Sequence, residues 1–127
     1  MRLNFLLVVA AALYGLAGIA LLFAPEELLA ATGVTAPALV DWLAQALGAA
    51  LLALAFLNWM NRFTRTQGVL GRPVLLPNFF FAATSFWLAL SAWRRTPDPV
   101  LLGSAIVLAA LAVAFGARMF GRAKPPA

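Results

Sequence analysis

Four long apolar runs occupy most of this chain, at residues 3–24, 38–60, 74–93 and 100–120. At 1.5 Å per helical residue, a run of about 20 residues covers the roughly 30 Å hydrocarbon core of a bilayer. Between the runs there is too little polar sequence to clothe a water-soluble surface. The 127 residues are 65% hydrophobic and carry nine basic and four acidic side chains, with 10% charged residues overall. Soluble domains use about 45–50% apolar and about 25% charged residues. The solvent of this chain is therefore mostly lipid.

The longest break is the basic stretch RFTRTQGVLGRPVLLP, residues 62–77, which gives a connector over 61–73 and leads into the third run. It separates two hairpins of similar build and holds Arg62, Arg65 and Arg72 without an acid. Lys and Arg near span ends set membrane orientation. Arg2, Arg62, Arg65, Arg72, Arg118, Arg122 and Lys124 fall on one side, and Arg94 and Arg95 on the other. All four acids, Glu26, Glu27, Asp41 and Asp98, fall with the smaller group. Four spans with both termini in the cytoplasm satisfy this distribution.

A basic start followed by an apolar run is also what a secretory signal peptide presents. Its apolar region is only about 7–15 residues long, and Pro25 directly follows the small-residue cleavage position at Ala24. An uncleaved first span is the better reading. Residues 25–33, PEELLAATG, read as a short interfacial helix or as a linker with helical tendency. Proline suits its first position, Glu26 and Glu27 its positive end, and Gly33 its C-terminal cap. Trp42 and Trp59 stand near the ends of the second run, where amphipathic rings prefer headgroup level. RRTPDP, residues 94–99, is a break that a helix cannot cross, and residues 121–127 form a short basic tail.

Small residues supply the expected helix contacts, because burying leucine drives little association in lipid. Ala11, Gly15 and Gly18 form one strip, and Gly48, Ala49, Leu52 and Ala53 a second. Ala110, Ala112, Ala114 and Gly116 form the third. The second and fourth runs also echo one another, each passing from Leu-Gly through Phe to Met and Arg. That pattern is open to duplication as a parallel repeat or to chance among Ala/Leu-rich helices.

Chemistry has few candidates. No cysteine and no histidine are present, which removes disulfides, thiolate chemistry and the commonest metal and haem ligand. No metal site and no cofactor are expected. Hydrolytic triads lack their base, and Glu26 and Glu27 diverge on a helix. Catalytic residues are not identified and an enzyme is disfavoured. The basic residues sit at span ends rather than on one soluble face, so nucleic acid is not a partner.

Two polar groups remain. Asp41 and Gln45 share a helix face near the outer end of the second span. Asp41 is open to an interfacial salt bridge with Arg94 or Arg95, or to a proton- or cation-coupled site. Tyr14, Thr84 and Ser85 lie near the bilayer centre and are open to interhelical bonding or to a polar ligand contact. At the cytoplasmic end, Asn58, Asn61, Arg62, Arg72 and Asn78 are candidates for a lipid headgroup or anion. Their other reading is helix capping and positive-inside charge. Gly68 and Gly71 in QGVLGRP lack the Lys-Ser/Thr ending of a phosphate loop.

The layout, with Phe23-x-Pro25 ending the first run and a Leu-Gly-rich second run, resembles small four-span bacterial inner-membrane proteins whose activity is not known. Small multidrug exporters share only the size, since no glutamate lies within residues 3–24. The stretch NFFFAATSF, residues 78–86, is similar to the Phe-rich third helix of small fluoride channels, but their Gly-rich threonine–serine motif is absent. The sequence thus predicts an all-α, single-domain, multi-pass four-helix bundle of the inner membrane. Its expected role is a non-enzymatic accessory subunit or a lipid- or small-ligand-binding bundle. Its partners would be membrane lipids, with a protein partner or a homodimer also open. A minimal homodimeric channel or proton-coupled transporter is the alternative.

Overall fold

The computed structural model describes residues 3–31, 33, 38–63 and 72–120. They form five helices: α1 (Leu3–Phe23), α2 (Pro25–Ala31), α3 (Ala38–Met60), α4 (Arg72–Arg95) and α5 (Pro99–Phe120). All but α2 are long and apolar enough to cross a membrane. The protein is therefore an all-α, multi-pass membrane protein with four spanning helices and a short extra helix after the first. The chain divides into two compact units, Met1–Phe63 and Thr64–Ala127.

In the first unit, Pro25 decides where α1 stops. Proline has no N–H to continue the ladder, so the last bond of the run is Ala24 N–H to Ala20 O, at 2.9 Å. The same residue suits the first position of a new helix, and Pro25 opens α2 with Glu26 and Glu27 in its first turn. Gly33 then donates to Ala30 O at 3.0 Å. It adopts φ +79°, a left-handed conformation that L side chains rarely take.

Helices α1 and α3 run antiparallel and touch backbone to backbone. A Cβ on Gly18 would lie 2.8 Å from Gly48 O and 3.0 Å from Leu52 N. A Cβ on Gly48 would lie 2.8 Å from Gly18 O and 2.9 Å from Leu22 N. Two glycines facing each other are the condition for this approach, as close packing replaces hydrophobic drive in lipid. The contact strip on α3 is Gly48, Leu52 and Ala55, whereas Ala49 and Ala53 are exposed. The expected strip thus held the right glycine but followed the wrong alanines, because the face in contact turns with the 3.6-residue period.

In the second unit, α4 begins two residues before the expected 74 and ends two after 93. Pro77 lies inside it. The connector is shorter than the basic stretch suggested, since a proline near the start of a helix forfeits only one bond of the ladder. Helices α4 and α5 pack around Phe79. A Cβ on Gly116 would meet its ring at 3.0 Å, and Phe120 meets it edge to face, with centroids 5.9 Å apart at 87°. Asp98 caps α5, its carboxylate Oδ1 accepting from Val100 N–H at 2.7 Å, and Pro99 takes the first position. Ala112 is half-buried and Ala110 exposed, so of the expected strip Gly116 makes the tight contact.

The echo between the second and fourth runs does not extend to packing. Gly48 is wedged against backbone, while nothing lies within 4 Å of a Cβ on Gly103. Phe56 is 65% exposed and Phe115 fully buried.

Candidate functional site

The first unit contains an apolar groove of about 350 Å³ between α1 and α3. Val8, Ala11, Ala12 and Gly15 line one wall, and Leu52, Ala55, Phe56 and Trp59 the other. Both sets follow the spacing i, i+3, i+4, i+7, which places each on a single helix face. The α1 wall is built almost wholly of small residues, so the side chains of α3 meet too little to fill the space. Its volume lies at the low end of the 300–1,000 Å³ typical of ligand pockets.

The helix crossing fixes the shape of this groove. Backbones touch at Gly18 and Gly48, but a Cβ on Gly15 would stand an ordinary 3.7 Å from Ala55 Cβ. The groove begins one turn beyond the contact, at Gly15 and Leu52, and runs toward Val8 and Trp59.

Arg62 stands at the Trp59 end of the groove. Its guanidinium carbon lies 3.8 Å from the Trp59 ring centroid and 4.2 Å from that of Phe63, within cation–π range of both. Its NH1 donates to the Trp59 carbonyl oxygen, a terminal carbonyl of α3 that also accepts the Arg62 backbone N–H at 3.3 Å in a closing turn. Asn61 turns its side chain back on the helix, Nδ2 donating at 2.8 Å to Leu57 O, which also accepts the Asn61 backbone N–H at 3.2 Å. Asn58 and Asn78 are fully buried, whereas Asn61 and Arg62 are half-buried. Asn78 Nδ2 donates to Val74 O at 2.8 Å within α4. Arg72 opens α4, but its side chain lies outside the described residues, as do Arg65, Gly68 and Gly71.

Near the opposite end of α3, Gln45 Nε2 donates to Leu22 O at 3.3 Å. Leu22 is in the last turn of α1, where carbonyls are orphaned, so Gln45 ties the two helices together beside the glycine contact. Asp41 sits in the first turn of α3. Its Oδ1 is buried and has no hydrogen-bond partner among the described residues. Arg94 and Arg95 close α4 and are exposed. Tyr14 is buried at 4% exposure, Ser85 half-buried and Thr84 exposed. Among the described residues no three His, Cys, Asp or Glu side chains gather as a metal would require.

Comparison with protein-family models, curated proteins and solved structures finds no match to this chain.

Sequence reasoning passed over Val8, Ala12, Ala55 and Phe56. A signal for them was present: Phe56 and Trp59 lie three apart on one face, in antiparallel register with an Ala/Gly stripe on the other arm of the same hairpin. Reading it requires the position of the crossing, which no single run contains.

Proposed function

We propose that the protein is a non-enzymatic membrane protein that holds the apolar part of a lipid or small ligand between α1 and α3. It would act alone or as an accessory subunit of a larger membrane complex. The observation that carries this reading is the groove lined by eight apolar residues. In lipid such a space does not stay empty, and a wall of alanine and glycine leaves it for a guest rather than for side chains.

Ala12 is the residue with which to test it. It is exposed, lines the groove and lies off the glycine contact, so Ala12→Phe fills the space without separating the helices. Native mass spectrometry of wild type released from nanodiscs is expected to show a retained lipid or small molecule. Ala12→Phe is expected to retain several-fold less. Equal retention by both proteins would remove the reading.

Asp41 favours a second reading, a minimal homodimeric channel or proton-coupled transporter. Ionisable groups within the membrane are expensive and tend to be functional, and a buried oxygen without a partner among the described residues suits a site that takes up a proton or cation. Asp41→Asn would then abolish ion- or proton-dependent flux in vesicles while leaving the fold intact. A lower melting temperature with flux unchanged, or absent from wild type as well, would reduce Asp41 to a structural residue. For location, the charge distribution supports the inner membrane with both termini cytoplasmic.

A further inference from the structure

We infer that the occupant of the groove is an anionic glycerophospholipid, with one acyl chain between α1 and α3 and its phosphate on Arg62. This rests on the reading of the groove as a lipid or ligand site, and adds the class of molecule and the residue that selects it.

The groove has the form of a chain rather than of a compact ligand. From Leu52 to Trp59 it follows the helix axis for seven residues, about 10 Å at 1.5 Å per residue. It lies parallel to two spanning helices, and the one polar group among its lining side chains is the Trp59 indole N–H, at its end. A compact polar ligand would find little there to orient it. An acyl chain needs no orientation beyond the axis itself, and its polar end then falls past Trp59, where the span ends at Met60.

At that point the only formal charge of the described hairpin end is positive. Arg62 is three residues past Trp59 and stacks on its ring. The hairpin's acids are Glu26, Glu27 and Asp41. Asp41, in the first turn of α3, is 21 residues earlier and about 30 Å away along the helix, and α2 carries the other two beyond the far end of α1. No carboxylate of the hairpin is in a position to neutralise Arg62, which leaves its charge open to an anion from outside the hairpin. One of its five N–H donors is used by Trp59 O. The guanidinium lies over the rings of Trp59 and Phe63, and its planar fork matches phosphate oxygens two at a time. A second copy of this chain in the same orientation would cover the groove but bring its acids to the wrong end. Charge complementarity therefore selects the phospholipid over the homodimer.

The test uses the full-length protein in nanodiscs containing equal amounts of phosphatidylglycerol and phosphatidylcholine with matched acyl chains. Retained lipid is read by native mass spectrometry, with circular dichroism as the control for folding. Wild type is expected to retain the anionic lipid about fivefold over the zwitterionic one, as one basic residue near an anionic surface provides. Arg62→Gln should bring that ratio to one without emptying the groove, and Arg62→Lys should keep part of the preference. Ala12→Phe should reduce both lipids alike. No preference in wild type, or a full preference in Arg62→Gln, overturns the inference while leaving the groove reading intact if Ala12→Phe still empties it. Unchanged retention in Ala12→Phe overturns both. The wild-type ratio alone decides the matter should Arg62→Gln fail to fold.

Discussion

At the scale of the residue, two glycines in matching sequence contexts behave in opposite ways. Gly48 and Gly103 each follow a leucine in an Ala/Leu-rich span, yet only Gly48 faces another backbone. A Cβ on Gly48 would lie within 3 Å of Gly18 O and Leu22 N, neither of which can swing aside as a flexible side chain would. Gly48→Ala is expected to lower stability by about 1–3 kcal/mol, the range of overpacking in a well-packed core. Gly103→Ala meets nothing and gains helix propensity, so it is expected to raise stability by up to about 1 kcal/mol. Denaturant titration in mixed micelles measures both. If the two substitutions behaved alike, the glycine crossing of α1 and α3 would be wrong. Gln45 tests the same contact more gently. Gln45→Leu removes the bond to Leu22 O and should cost no more than the roughly 0.6 kcal/mol average of an interhelical hydrogen bond in lipid.

At the scale of the element, α4 and α5 show how termini are decided by a few side chains. Asp98 and Pro99 start α5 by a cap and a fixed φ, and Asp98→Ala should cost about 1 kcal/mol. Pro77 withholds the N–H that Pro73 O would accept, and Asn78 beside it turns its amide back to Val74 O. Pro77→Ala restores that N–H and is expected to raise the melting temperature. Asn78→Leu leaves Val74 O without that bond in a fully buried place and is expected to lower it. Most elements were legible in the sequence for the same local reasons. Pro25, Gly33 and the Asp98–Pro99 pair punctuate apolar runs whose lengths match a bilayer, and the second run coincides with α3 from Ala38 to Met60. The start of α4 was not, because two prolines and a glycine within seven residues read as a break. In the structure the helix opens at Arg72, between that glycine and the first proline. The groove was legible only in part. Arg62 and Trp59 stood out by charge and by position at a span end, whereas Ala12 and Phe56 acquire meaning only from where the two helices cross.

At the scale of the whole molecule, orientation is the property most worth measuring, because it decides which leaflet supplies the groove. Seven basic residues lie on the side of the connector and termini and two on the other, and in short loops this bias directs insertion. The chain contains no cysteine, so single-cysteine variants can be made without altering a native thiol. Gln67→Cys reports the connector and Thr96→Cys the turn between α4 and α5. With a membrane-impermeant maleimide applied to intact cells, Thr96→Cys is expected to label and Gln67→Cys to label only after the membrane is opened. Labelling of both before opening would mean that the protein inserts in two orientations, and the reverse pattern would mean that charge does not govern this chain. Each outcome bears on the lipid proposal differently. Arg62 sits at the end of α3 in either orientation, but cytoplasmic placement supplies it with the leaflet whose surface is negative. An outward-facing Arg62 would have to find an anionic headgroup in the opposite leaflet. The preference seen in nanodiscs, where both faces carry the same lipid, would then survive while its origin in the cell changed.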